Sequence, residues 1–326
     1  MTEGVEVYNQ QLASDGLFAN SPENLLAQVP QENFLERANR EGDSTLATDL
    51  RFSYKIAEAI RDSGGRALAV GGYARDVAIT ALCGQEQISK DIDIEVYGLG
   101  FDSLHEHLNG FGKVDLVGAS FGIAKVTNPN TGSIIDFSIP RQDSKVDVGH
   151  RGFQITGDPD MTVREAARRR DLTINALAID PLTGEMIDEY GGLQDVKDRI
   201  LRATDANLFT DDPLRVLRVM QFAGRFNFTV ADETVDLCRG LDLTEVSAER
   251  IGEEWIKLMT KSYRPSVGLE VARELGVLDQ LHPELAILDK IEQEPEWHPE
   301  GNVWNHTKHT VDAAARVVRD EKLQGD

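Results

Sequence analysis

The sequence predicts an α+β chain, a mixed α/β head followed by an all-helical body, on three observations. Asp91-Ile-Asp-Ile-Glu-Val-Tyr97 alternates polar and apolar strictly, the period of a half-buried strand. The run Arg66-Ala-Leu-Ala-Val70 enters Gly71-Gly72 as a short buried strand, and helical periodicity resumes over Tyr73 to Cys83. From about residue 207 onward, helical patterns dominate.

The remaining elements follow in order along the 326 residues, a length suited to roughly two domains. The first 48 residues are polar and short of periodicity, with Pro22 and Pro30, and read as an extension. From Thr48, taken as an N-cap, Phe52, Ile56 and Ile60 recur at a spacing of four until Gly64-Gly65, which predicts an amphipathic helix. Further strands are expected near 113–117, 121–127 and 133–139, and the Gly- and Asp-rich stretch from Pro140 to Met161 reads as loop. Helices are expected to start at Thr210 and Ser247, with a stop at Gly276. No internal repeat or low-complexity tract is present in the sequence.

Composition narrows the function classes. Apolar residues make up 40% of the chain, enough for a core, and no stretch approaches about 18 consecutive apolar residues. The N-terminus, with Glu3 and Glu6, lacks the basic-then-apolar order of a secretion signal, so membrane spanning and secretion are not expected. Two cysteines, Cys83 and Cys238, cannot form a disulfide framework, and a reducing cytoplasm fits best. The net charge of −22 argues against diffuse nucleic-acid binding. Its distribution is uneven: residues 1–50 carry nine acids and two bases, residues 276–326 eleven acids and five bases, and residues 141–175 six acids and seven bases. A polyanion is therefore expected in a basic groove formed by Arg141, Lys145, Arg151, Arg164 and Arg168 to Arg170.

Asp91 and Asp93 stand two apart on the expected strand, so their carboxylates share one face and suit a pair of divalent cations. A solvated polar face is the plain alternative. Just upstream, Gly71 and Gly72 allow close approach of a ligand at a helix N-terminus, and Arg75 offers a fork to phosphate; a simple turn is the other reading. The spacing matches neither the dinucleotide fingerprint nor the P-loop. Asp136 lies on another alternating strand and supplies a third carboxylate if that strand neighbours the first. Arg168-Arg169-Arg170-Asp171 places cations in the least acidic segment, as a solvated face or as triphosphate contacts. Thr210 starts a helix in which Asp212 and Arg215 fall three apart, an acceptor beside donors that can read a base edge. His298, His306 and His309 cluster near the end, but no His-Asp pair follows before Asp326, so a complete metal-hydrolase site is not expected.

Together these motifs resemble, in order, class II tRNA nucleotidyltransferases, the CCA-adding enzymes and their bacterial poly(A) polymerase relatives. The residues that carry the resemblance are Gly71-Gly72 to Arg75-Asp76, Asp91-Ile-Asp93 and Arg169-Arg170-Asp171-Leu-Thr-Ile-Asn-Ala-Leu-Ala, then Ile-Asp-Glu-Tyr-Gly-Gly192 and Asp211-Asp212-Pro-Leu-Arg-Val-Leu-Arg218. The resemblance runs from about residue 50 to the C-terminus. It implies a nucleotidyltransferase head of the DNA polymerase beta type over 49–200, a helical neck over 201–265 and a helical body over 266–326, with 1–48 as an acidic extension.

The implied activity is template-independent addition of CCA to tRNA 3′ ends from CTP and ATP, with two Mg²⁺ ions held by Asp91 and Asp93. Asp136 is implied as a third catalytic carboxylate. Gly71, Gly72, Arg75, Arg170, Asp171 and Asn175 are implied as nucleotide contacts, and Asp212, Arg215 and Arg218 as neck residues that face the incoming base. Glu249-Arg250-Ile251 and Glu254 resemble the motif that steadies the neck. Alternatives within the class are poly(A) polymerase and enzymes adding CC or A alone; a catalytically silent RNA-binding protein and a phosphohydrolase are rivals outside it. The loop from Arg141 to Phe153 stands where the family has a flexible loop. Trp297-His-Pro-Glu to His306-Thr resembles the lead into an HD phosphohydrolase domain, so the chain is expected to be a fragment or a natural short form.

Overall fold

In the computed structural model, residues 22–87, 91–117, 122–145 and 153–321 are described, and the chain divides into two compact units at Asp198/Arg199. The first unit begins with helices α1 (Pro22–Gln28), α2 (Phe34–Glu41) and α3 (Thr45–Asp62). Asn33 and Glu36 close α2 with a capping box. Although α1 and α2 lie in the stretch read as an extension, they join the core: Leu25 and Phe34 are buried, and Phe34 meets Tyr73 edge-on at 5.2 Å. Helix α3 starts three residues before the expected Thr48. The Ser44 hydroxyl accepts from the Ala47 amide at 3.1 Å, whereas Thr48 spends its hydroxyl on the Ser44 carbonyl inside the first turn.

Next come β1 (Arg66–Val70), α4 (Gly72–Cys83), β2 (Asp93–Tyr97), α5 (Phe101–Leu108), β3 (Lys113–Val117), β4 (Ile123–Thr127) and β5 (Ile134–Ser138). Then follow β6 (Arg141–Lys145), β7 (Phe153–Gly157), α6 (Val163–Arg168), a 3-10 turn at Thr173–Asn175, β8 (Ala178–Ile179), β9 (Met186–Ile187) and α7 (Gly192–Asp198). One mixed sheet runs β3-β4-β5-β2-β1-β8-β9. Among the described residues, its β2–β5 pair is parallel and its other ladders are antiparallel. That parallel pair sits at the centre, where Ile94, Val96, Ile135 and Phe137 fill the interior.

Two expectations for this unit need correction. The alternating strand begins at Asp93 rather than Asp91, and Glu95 is buried rather than solvated, at 3% exposure. As a central strand β2 has both faces covered, with Leu68, Val70, Tyr97, Ala166 and Ala178 packed on the Glu95 side. The segment after Pro140 is also not simply loop: β6 and β7 form an antiparallel ribbon with Arg141 opposite Gly157. Arg-Gln-Asp-Ser-Lys contains no apolar residue, so a ladder held by the backbone left no period to read. Residues 146–152, with the centre of the expected flexible loop, lie outside the described residues.

The second unit contains β10 (Ile200–Leu201), α8 (Ala206–Phe209), α9 (Leu214–Phe226), β11 (Thr229–Val230), α10 (Asp232–Arg239) and α11 (Ala248–Lys261). It continues through α12 (Pro265–Glu274), α13 (Val277–Leu281), α14 (Pro283–Ala286) and α15 (Val303–Asp320). It is helical save for the two-residue parallel pairing of β10 with β11. Helices α9, α11 and α12 pack closely, and a Cβ on Gly268 would come within 2.7 Å of the Met220 carbonyl oxygen, so glycine sets that approach. Ser247 precedes α11, and Gly276, at φ 78°, separates α12 from α13, both as expected. Thr210 does not open a helix: it ends α8, its hydroxyl donating to the Asn207 carbonyl at 2.8 Å, and α9 begins only after Pro213. Among the described residues, no helix is long and apolar enough to cross a membrane.

Candidate active site

The parallel register of β2 and β5 sets Asp93 level with Asp136, which brings together two of the three carboxylates expected from the sequence. Asp91 lies two residues before Asp93 in the exposed segment leading into β2. Across the antiparallel pair of β4 and β5, Lys125 stands opposite Asp136, its Nζ 2.8 and 3.0 Å from the two carboxylate oxygens. Desolvation in the cleft raises the Asp93 pKa above the ordinary carboxylate range. Asp136 and Asp91 add to that rise, while Arg170 and Lys125 oppose it.

On the other side of β2, Val70 pairs with Asp93, so the chain leaves β1 beside the carboxylates and turns at Gly71 into α4. Gly71 has φ 66°, and a Cβ there would lie 3.1 Å from Arg170 Nη1. The glycine therefore serves both the left-handed turn and the guanidinium beside it. An open cleft of about 200 Å³ is lined by Val70, Asp93, Glu95, Ile123, Asp136, Ser138, Ile139, Arg141, Arg169 and Arg170.

Arg75, Asp171 and Asn175 meet beneath the turn rather than on the cleft surface. Arg75 is 5% exposed, and its Nε donates to Asp76 and its Nη1 to Asn175 Oδ1, each at 2.8 Å. Asn175 in turn donates to Asp171 Oδ1 at 2.9 Å. The expected open fork at Arg75 is thus a buried brace between α4 and the 3-10 turn. Burying a guanidinium requires a carboxylate and further acceptors, and Asp76 and Asn175 supply them. Of the expected basic groove, Arg141, Arg169 and Arg170 line the cleft, whereas Arg164 donates to Glu189 and lies over the Tyr190 ring. Arg168 is exposed at the end of α6, and the Lys145 side chain and Arg151 lie outside the described residues.

In the second unit, Asp212 and Arg215 are oriented by separate partners. Arg250 on α11 approaches the Asp212 carboxylate at 2.9 Å, and Asp212 Oδ1 accepts from the Leu214 amide at 3.1 Å. Arg215 donates to the Leu208 carbonyl at 2.9 Å, and Arg218 lies over the Phe222 ring. His298 and His306 both face Glu300, with Nδ1 to Oε1 distances of 3.2 and 2.6 Å, while His309 is exposed and outside that group.

Sequence reasoning missed Glu95 and Lys125. Glu95 has the same strand parity as Asp91 and Asp93, a signal that places it on their face. Lys125 carries no comparable signal until its strand is paired with β5.

Comparison with known proteins fits this geometry. Residues 67–202 match the poly A polymerase head domain, and residues 227–288 match the probable RNA and SrmB-binding site of polymerase A. A Multifunctional CCA protein of Stenotrophomonas maltophilia is 38% identical over 205 residues, covering 61% of this chain and 50% of that protein. One from Xylella fastidiosa is 35% identical over 263 residues, covering 78% and 59%. The chain thus spans about half the length of the curated relatives it matches. Among solved structures, a CCA-adding enzyme of Bacillus stearothermophilus in complex with CTP has a TM-score of 0.59 at 25% identity, covering 70% of this chain and 52% of that one. The Thermotoga maritima CCA-adding enzyme complexed with tRNA shares the fold at a TM-score of 0.58 and 22% identity, covering 82% and 58%. Both matched domains lie in order, with the glycine turn beside the paired carboxylates in the first, so the chain contains a poly A polymerase head domain followed by the probable RNA-binding region of polymerase A.

Proposed function

We propose that this chain is a tRNA nucleotidyltransferase that adds C, C and A to tRNA 3′ ends from CTP and ATP without a nucleic-acid template. The observation that carries the proposal is the register of Asp93 with Asp136 beside the Gly71 turn. The likeness to Multifunctional CCA proteins supports the same reading.

In the proposed reaction the RNA 3′-hydroxyl oxygen bonds to the α-phosphorus and the bond to the bridging oxygen breaks, releasing pyrophosphate. Asp91, Asp93 and Asp136 fit a magnesium centre: they are hard oxygen donors, and the register of β2 and β5 sets the Asp93 and Asp136 carboxylates level with each other, where a cation would balance them. Two bound Mg²⁺ ions would supply Lewis acidity to the hydroxyl and charge stabilisation to the leaving pyrophosphate. Gly71 and Gly72 let the triphosphate approach the start of α4, where backbone amides favour anions. Arg170, Arg169 and Arg141 balance phosphate charge in the cleft. Arg75, Asp171 and Asn175 keep the floor of the turn rigid. Asp212 and Arg215 read the base, each held in place by its own partner, with Arg218 beside them. A cytoplasmic location belongs to the same proposal.

The test is incorporation into tRNA lacking its 3′ terminus, given CTP, ATP or both with Mg²⁺, with products sized to single nucleotides. Addition that stops after C, C and A supports the proposal. Long A tracts assign a poly(A) polymerase, and C-only or A-only products assign a partial enzyme. No addition by folded protein leaves an RNA-binding role in its place.

A further inference from the structure

The buried carboxylate of Glu95 has no part in the reading above, and its surroundings give it one. We propose that Glu95 is a positioning residue for the incoming nucleoside triphosphate: it fixes the Arg170 guanidinium against the Gly71 turn, so that the phosphate-binding edge is formed before the nucleotide arrives. The inference rests on the proposed nucleotidyl transfer and deepens it.

Three observations support it. Glu95 is 3% exposed yet borders the cleft, two residues along β2 from Asp93 and on the same face. A carboxylate buried in that position needs a cation and hydrogen-bond donors as partners. Both are present on Glu95 Oε2, where the Tyr97 hydroxyl donates at 2.7 Å and Arg170 Nη2 donates at 3.4 Å. Burial raises the Tyr97 pKa, with the Glu95 charge adding to it, so the phenol remains a donor.

The third observation is the direction of the other edge of the guanidinium. While Nη2 of Arg170 faces Glu95, its Nη1 lies 3.1 Å from the site of a Cβ on Gly71, at the turn into α4. One planar fork thus spans the buried anion and the glycine turn. Arg170 lies two residues past the end of the short helix α6, and it would otherwise have several rotamers open to it above the cleft. Glu95 removes that freedom in advance, which favours nucleotide binding rather than the chemical step.

The experiment uses the full chain and compares Glu95→Gln, Glu95→Asp, Tyr97→Phe, Arg170→Ala and the Glu95→Gln/Arg170→Ala double variant. Binding of CTP and ATP is measured by equilibrium dialysis with Mg²⁺ and no RNA, and KM and kcat are measured by tRNA extension. Glu95→Gln is expected to weaken nucleotide binding and raise KM about tenfold, with kcat within about threefold of the parent. Tyr97→Phe shifts KM the same way by about threefold, and Glu95→Asp restores part of the loss. Arg170→Ala costs at least as much, and the double variant is no worse than Arg170→Ala alone.

Unchanged nucleotide affinity in folded Glu95→Gln overturns the inference, as does full additivity of the two losses. If Glu95→Gln fails to fold, Tyr97→Phe and Glu95→Asp decide: parental KM values in both overturn it. A parent that extends tRNA while these results hold leaves the proposed function standing. A parent that binds no nucleotide overturns both.

Discussion

The ammonium of Lys125 lies 2.8 Å from the Asp136 carboxylate, across two neighbouring antiparallel strands, and Asp136 is itself level with Asp93 on the parallel side. A resident cation thus neutralises one of the two aspartates that the register of β2 and β5 brings level at the cleft. This arrangement keeps the pair tolerable to the fold, and Asp91 stays in the exposed segment that leads into β2.

Removing that ammonium should strengthen divalent-cation binding. Lys125→Met leaves more negative charge around the same oxygens, so Mn²⁺ affinity without nucleotide is expected to rise about three- to tenfold, as befits one partly exposed ion pair. Titration followed by the electron paramagnetic resonance of free Mn²⁺ reads it. Unchanged or weaker binding shows that Lys125 is needed to orient Asp136.

The raised pKa of Asp93 makes a stability prediction of definite sign. A carboxyl whose folded pKa exceeds its unfolded value supports the fold at low pH, and that support is lost as pH rises through the folded value. At neutral pH and without divalent cations, Asp93→Asn should therefore melt above the parent. The difference should vanish below the ordinary carboxylate range, where the parent is protonated in both states. Calorimetry at pH 7 and at acid pH checks it, and a lower midpoint at pH 7 contradicts it.

Base selection should depend on a residue that touches no base. Arg250 holds Asp212 from the neighbouring helix, so Arg250→Ala is expected to reduce discrimination of CTP and ATP against UTP and GTP by about 1–3 kcal/mol, the scale of one bidentate contact. Incorporation of each nucleotide under single-turnover conditions measures it. Intact selectivity would show that Arg250 is not what orients Asp212, whose Oδ1 also accepts from the Leu214 amide.

At the far end of the chain, Glu300 titrates unusually low, at about 2, because His306 hydrogen-bonds it, with its own backbone amide and His298 adding to the effect. Its contribution to stability is present above the unfolded carboxyl value and is lost as pH falls toward 2. His306→Ala should return the Glu300 titration most of the way to the ordinary range in carbon-13 spectra of the side-chain carboxyl. A titration that stays near 2 would assign the shift to the backbone instead.

Much of the first unit was legible because its chemistry sits on regular elements. Asp93 and Asp136 each lie on a strand of clear period, and Gly71 lies where a strand turns into a helix. What periodicity cannot carry is which strands are neighbours, so Lys125 stayed hidden until β4 and β5 were paired. Glu95 was hidden differently: alternation counts it as polar and solvated, and only the cover from Leu68, Val70, Tyr97, Ala166 and Ala178 buries it. Thr210 misled because two hydroxyl and carboxyl groups compete for the same turn, and Asp212 takes the amide nearest α9.

The most direct test of the central claim is single-turnover extension of tRNA lacking its 3′ terminus by Asp136→Asn, beside the parent and Asp91→Ala, with nucleotide affinity measured in parallel. If the carboxylates of β2 and β5 act together, Asp136→Asn should slow addition of the first C by roughly a thousandfold or more while CTP affinity changes less than about fivefold. Extension by Asp136→Asn at the parental rate would contradict the account, because the strand register that unites Asp93 with Asp136 would then have no part in the chemistry.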